Sequence, residues 1–282
     1  MSLGLIYKNH NKIFDEVLEG TPFLEYPLLK GSGFIKHGFS TRLGGHSKGY
    51  LYSLNLGFSN EDDYNTVLNN YKSIGNSIGI SIEDMVLSAQ THTSNIVVVN
   101  ESHKGNGITK PQKMKDVDGL VTNVKNVCLV TSYADCVPLY FVDPINKAIG
   151  LSHSGWRGTV KRIGQKTIGI MKDKYGTNSE DLLVGIGPSI CIDCYEVSQD
   201  VVDKFHDIFD NKDLDEIYHK KENDKYQLDL WKANELILLE AGVKADNIAV
   251  TNLCTKCNSD ILYSHREAGD KRGNLCAFLM IK

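Results

Sequence analysis

A chain of 282 residues, 41% of them apolar, can bury a sizeable core without disulfide or metal staples, as one large or two medium domains. Thirty-one Lys and Arg against 35 Asp and Glu leave a formal charge of −4, which excludes the basic footprint needed for nucleic acid or an anionic membrane and points to a small-molecule partner. Seven cysteines, an odd number, with no apolar h-region at the N-terminus and no run of membrane-spanning length, predict a cytoplasmic protein with reduced thiols available for metal or catalytic use.

Residues 1–30 are weakly patterned and read as a lead-in. From Phe34 the run to Arg42 predicts a strand entering a Gly44-Gly45 turn, and Ser53–Gly57 a second short strand. Asp62 to Gly79 is a predicted helix, with Val67, Leu68, Tyr71, Ile74 and Ile78 on one face. Strand-like Met85–Ser88 and Asn95–Val99 flank His92, the segment 101–115 is a polar loop, and Leu120–Thr122 is a strand. Next come Val127–Ser132 and Pro138–Val142 on either side of Cys136, then Ala148–Leu151 just before His153. Glycines 155 and 158 suit a turn into a helix from about Thr159 to Tyr175, whose first amides could hold an anion. Further on, Leu182–Ile186, Ile248–Thr251 and Leu275–Ile281 are strands, and Ser198–Phe209 and Leu230–Ala241 are helices. The charged stretch 211–225 reads as a solvated connection. No repeat, low-complexity tract or linker interrupts this order, so a single domain mixing strands and helices is expected.

Three strand junctions present His92, Cys136 and His153, the donor set of a zinc site that keeps its fourth position open. Spacing alone does not place these residues in contact and leaves the alternative standing, a buried cysteine with unrelated turn histidines. Two histidines and a cysteine also suit copper, and hence phenol oxidation, but none of the nine histidines forms the His-x-His pair of a multicopper cluster. Without metal, Cys136 and His153 could serve as nucleophile and base of a thiol hydrolase, and a metal-stabilised binding module without turnover is the non-enzymatic reading. Cys191-Ile-Asp-Cys194 and Cys254-Thr-Lys-Cys257 could form an all-cysteine structural zinc site, at a separation far longer than in a zinc ribbon. Arg42, Arg157 and Arg266 are candidate oxyanion binders, each with a capping or ion-pairing role as the alternative. Asp118 and Asp135 are candidate general acids or bases, or groups that orient ligand imidazoles.

Taken in order, His37-Gly-Phe-Ser-Thr-Arg42-Leu-Gly-Gly, Ser53-Leu-Asn-Leu-Gly57, Asp116-Val-Asp-Gly-Leu-Val-Thr122, Ala134-Asp-Cys-Val-Pro138, His153-Ser-Gly-Trp-Arg-Gly158, Gly187-Pro-Ser-Ile190, Tyr195-Glu-Val197 and Cys254-Thr-Lys-Cys-Asn258 resemble the YfiH-type family, labelled laccase-domain or polyphenol oxidase and associated with zinc-dependent purine nucleoside processing. The resemblance implies an α+β fold, a four-layer α/β/β/α sandwich with mixed sheets built as one domain from residues 1–282, with His92, Cys136 and His153 as zinc ligands. It further implies phosphorolysis of adenosine, inosine or methylthioadenosine and deamination of adenosine, with nucleoside and phosphate as partners. Arg42, Asn55, Arg157 and Arg266 are then the substrate-side candidates. The zinc-deaminase signature His-x-Glu with Pro-Cys-x-x-Cys is absent, so deamination would use a differently built site. Three departures stand out: Gln90-Thr-His92-Thr replaces Gln-Val-His-Gly, and the C-terminal block carries Glu267 and Asn274 where the family has arginines. The shared Cys254 block favours core or pocket-wall roles for those thiols over an all-cysteine site.

Overall fold

The chain folds as an α+β sandwich of four layers, in a computed structural model that describes residues 2–58 and 61–282. One inner sheet runs in the order Asp15–Val17, Phe23–Glu25, Ile35–Ser40, Leu275–Ile281, Cys128–Tyr133, Met85–Leu87; the other runs Ile248–Val250, Leu183–Ile186, Val137–Asp143, Ala148–Ser154, Gly119–Thr122, Ile96–Val98. Both are mixed: most pairs are antiparallel, but Met85–Leu87 lies parallel to Cys128–Tyr133, Ile96–Val98 parallel to Gly119–Thr122, and Ile248–Val250 parallel to Leu183–Ile186.

Period-two alternation decides which side chains meet in each layer. Leu129, Ala277 and Leu279 of the first sheet pack against Tyr140, Val142, Ile149 and Leu151 of the second. On the outer face of the first sheet, Cys128, Val130, Phe278 and Met280 meet the apolar side of the helix Tyr64–Ile78. Asp63 caps that helix by accepting the Thr66 N–H at 2.8 Å, and Gly79 ends it in the left-handed region at φ +76°. The outer face of the second sheet, with Val137, Leu139 and Phe141, is covered by Ile163–Tyr175, Leu230–Glu240 and their neighbours. Because both faces of the central strands are buried, they read in sequence as near-continuous apolar runs.

Four expectations change. The lead-in contributes two strands and the short helix Pro27–Lys30 to the first sheet. Ser53–Gly57 is no strand; Asn55 folds it into a turn by donating to the Gly57 carbonyl and accepting the Gly57 N–H. The helix expected from Thr159 starts at Trp156, and Arg162, in the left-handed region at φ 56°, breaks it into Trp156–Val160 and Ile163–Tyr175. The stretch read as solvated contains the helix Asn211–Ile217, which buries Leu214 and Ile217, and the strand Tyr218–Lys220 of a small third sheet.

Candidate metal centre and active site

Two of the three junction residues sit where the chain crosses between the inner sheets. It leaves the first sheet at Tyr133, turns through Ala134–Cys136 and enters the second at Val137. Likewise His92 lies between Met85–Leu87 of the first sheet and Ile96–Val98 of the second. His153 is held within the strand Ala148–Ser154, opposite Pro138, instead of following it as expected. These crossings bring one donor atom from each of His92, Cys136 and His153 to within 4.8 Å of one another. Cys136 Sγ lies 3.7 Å from His92 Nε2, and the two imidazole centroids are 5.0 Å apart.

Asp118 organises the group. Its carboxylate is fully buried and accepts the His153 Nδ1 side at 2.8 Å, leaving Nε2 to face the cluster. It also accepts the N–H groups of His92 at 3.1 Å and Thr93 at 2.7 Å, together with the Thr93 hydroxyl at 2.6 Å. Converging amides of this kind hold His92 in the left-handed region at φ 63°, a conformation costly for a residue with a Cβ. Burial acts to raise the Asp118 pKa, but the hydrogen bonds from His153 and Thr93 outweigh it and hold the carboxyl below the ordinary range. At His153, burial opposes charge, yet the Cys136 thiolate and Asp118 lift the imidazole to about 9. Burial likewise opposes the Cys136 thiolate, and the His153 and His92 side chains bring it down to about 6. Gly155 makes the approach possible: a Cβ there would lie 2.9 Å from both Cys136 Sγ and His92 Cδ2.

Two cavities share His92, Ala134, Cys136 and Arg272 in their walls, one of about 480 Å³ that also reaches His153 and Asn274, the other of about 400 Å³ that reaches Arg157, Arg266 and Tyr195. Both are of small-molecule size. Arg157 stacks on Trp156 at 4.3 Å, and Arg266 donates to the Glu196 carbonyl at 2.9 Å. Arg42 does not line either cavity. In place of the oxyanion role expected for it, its guanidinium donates to the Tyr52 and Ser259 carbonyls at 2.9 and 2.8 Å and lies over the Tyr263 ring. Asn55, expected at the substrate, is fully buried and accepts the Asn274 N–H at 3.0 Å, so it positions a wall residue. Asp135 occupies both carboxylate oxygens structurally, accepting from the Thr255 hydroxyl at 2.6 Å and the Arg266 N–H at 2.7 Å. Both carboxylates thus have an orienting role in the geometry, Asp118 behind His153 and Asp135 beneath the wall of the smaller cavity.

Two further residues at the site, Arg272 and Gln90, are given no role by the sequence reading, although Gln90 stands in the His92 motif. Arg272 lines both cavities close to the Asp135 and Cys136 charges. Gln90 pins the His92 loop to the first sheet, bonding the Ser132 carbonyl at 2.9 Å and N–H at 2.7 Å. Each carries a positional signal: Arg272 stands two residues before the motif position Asn274, and Gln90 two residues before His92.

Two imidazoles and a thiolate, gathered on the seam between the sheets of an α/β/β/α sandwich and open to a cavity, define a metal-capable class with a single open centre. Residues 36–282 match the family model described as multi-copper polyphenol oxidoreductase laccase, and the chain belongs to that laccase-like, YfiH-type family. It is 36% identical over 246 residues, 87% of its length and 88% of the relative's, to the purine nucleoside phosphorylase YlmD of Bacillus subtilis (strain 168). With a protein from an unknown prokaryotic organism named adenosine deaminase RL5 it shares 32% identity over 213 residues, 75% of this chain and 80% of that one. The crystal structure of the Bacillus licheniformis hypothetical protein YfiH superposes with a TM-score of 0.90 at 30% identity, covering 97% of this chain and all of that chain.

Proposed function

We propose that this chain is a zinc-dependent enzyme of purine nucleosides, catalysing phosphorolysis of adenosine, inosine or methylthioadenosine and deamination of adenosine, in the cytoplasm. The observation that carries the reading is the donor set itself: His92, Cys136 and His153 converge, the first two on a wall common to two cavities and His153 on the larger of them, with Asp118 behind His153. The relatives named for nucleoside phosphorolysis and deamination supply the substrate class. The donors fit zinc, which takes nitrogen and sulfur ligands and leaves one position open in catalytic sites, and the Gly155 cradle leaves room beside the sulfur. Bound there, zinc would polarise an oxygen or make water a nucleophile near neutral pH.

This chain's own residues do the rest. Asp118 fixes the His153 tautomer and ring so that Nε2 is the free nitrogen. The cavity lined by Arg157, Arg266 and Arg272 supplies cationic donors for phosphate, and the larger cavity beside His153 and Asn274 receives the nucleoside. Both reactions then compete for one centre, with phosphate concentration setting the balance.

The test is metal content measured beside products from adenosine, with and without phosphate, for wild type and Cys136→Ala. Wild type should hold zinc, give adenine with phosphate and inosine without it; C136A should lose both products while its circular dichroism is unchanged. Either activity persisting at the wild-type rate in the metal-free variant would refute a shared zinc centre. Activity that survives chelation but not thiol alkylation would mark a thiol hydrolase, and copper with phenol oxidation rivalling both reactions would mark an oxidase.

A further inference from the structure

Away from the His92 cluster, the two C-x-x-C pairs come together. Cys191, Cys194, Cys254 and Cys257 place their sulfurs within 4.8 Å of one another, and all four are free thiols. They are brought there by topology: Leu183–Ile186 and Ile248–Val250 are neighbouring parallel strands, and the segments leaving their C-terminal ends stay side by side, joined by a bridge between Ser189 and Cys254. The separation of 63 residues in sequence hides a contact that the parallel pairing makes local.

We propose that these four cysteines bind one zinc ion as a structural tetrathiolate, a second metal centre separate from the His92, Cys136 and His153 group. The distances select a mononuclear site. Zinc–sulfur bonds of about 2.3 Å in a tetrahedron put the sulfurs about 3.8 Å apart. Cys194 and Cys257 are at 3.6 Å, well beyond a disulfide bond of about 2.05 Å. A cluster with several irons would spread its thiolates wider than four sulfurs confined within 4.8 Å allow. The second coordination layer suits thiolates. Cys254 Sγ accepts the backbone N–H groups of Cys191 at 3.3 Å and Cys257 at 3.5 Å, and the first pair is shaped by a tight turn in which Cys194 and Tyr195 N–H both donate to the Cys191 carbonyl. Lys8, ion-paired to Asp193 at 2.9 Å, places a cation within Coulombic reach of Cys191 and Cys257, offsetting the excess negative charge of a tetrathiolate. Cys191 and Cys254 are buried and Cys194 and Cys257 half-buried, an environment that closes off a fourth-position water and marks the site structural. Binding exchanges thiol protons for the divalent ion and needs no oxidant or reductant.

The position gives the centre a task. Ile190, beside Cys191, donates its N–H to the Asp135 carbonyl, and Thr255, beside Cys254, donates its hydroxyl to the Asp135 carboxylate. A metal joining the two segments therefore braces the turn that carries Cys136.

The test counts metal in the purified full chain under reducing conditions, in wild type, Cys136→Ala and Cys194→Ser/Cys257→Ser. Two zinc equivalents are expected in wild type, falling to one in each variant. A wild type with one equivalent, lost in C194S/C257S and kept in C136A, would support the tetrathiolate and sink the catalytic zinc instead. Since C194S/C257S can fail to fold, cobalt substitution of C136A, with all four thiols in place, is the second measurement. It should give the intense visible bands of tetrahedral cobalt tetrathiolate with sulfur-to-metal charge transfer. Absence of those bands, undiminished zinc in C194S/C257S, iron in place of zinc, or a Cys194–Cys257 disulfide in the purified protein would each overturn the proposal.

Discussion

Asp118 shows how much one carboxylate can determine. It collects the His92 and Thr93 amides and the His153 ring on the same two oxygens, so the position of one imidazole and the tautomer of the other depend on a single charge. Asp118→Asn keeps the volume but sets an amide NH2 against backbone donors, and it removes the anion behind His153. Metal affinity at this centre should fall about 10- to 100-fold, the range for losing a carboxylate behind a ligand histidine. Competition against a chromophoric chelator measures it, and an unchanged constant would show that Asp118 has no hold on the metal. The three candidate donors were legible in the sequence because their residue types stand out near strand ends, although His153 lies within its strand. The roles of the charged residues around them were not: Arg42 reads as a free cation beside a glycine turn, yet one of its carbonyl partners, Ser259, lies 217 residues away. Such partners exist only once the sheets have formed.

At the scale of elements, the sequence conveyed what periodicity encodes. The helix Tyr64–Ile78 and the strand Leu275–Ile281 carry their own patterns and stand close to where those patterns place them. The segment 211–225 carries too few apolar residues to show a period, and its helix depends on two of them reaching a core formed elsewhere. Ile217 is fully buried in the cluster over the second sheet. Ile217→Ala should therefore cost about 2–5 kcal/mol in urea unfolding, the range for truncating a buried aliphatic side chain, with metal content unchanged. A change within about 0.5 kcal/mol would be that of a solvated connector. Arg162 illustrates the opposite failure: nothing in its side chain announces a left-handed residue, so a two-helix arrangement reads as one helix.

For the molecule as a whole, stability rests on two sheets pressed face to face, and His37 titrates inside that contact. Its Nε2 accepts the Tyr26 N–H at 2.8 Å, and its ring packs 6.1 Å from Tyr26 in its own sheet region and 6.4 Å from Tyr140 of the opposite sheet. The accepting nitrogen must be unprotonated. Burial, helped by the Lys30 and Lys282 charges, lowers the imidazole to about 4 from its ordinary 6.5. A depressed pKa fixes the sign: above pH 6.5 both states are neutral and the contribution is complete, and as pH falls toward 4 the unfolded chain takes up a proton that the folded one refuses. Between pH 7 and pH 5 this linkage removes about 2 kcal/mol, since each tenfold change in a protonation equilibrium is worth roughly 1.4 kcal/mol. His37→Gln, whose side-chain oxygen can still accept the Tyr26 N–H, carries no proton to refuse. Urea unfolding at the two pH values should therefore show wild type losing about 2 kcal/mol more than H37Q, every other titrating group cancelling in the difference. Equal losses in the two proteins would mean that His37 accepts its proton without disturbing the contact between the sheets.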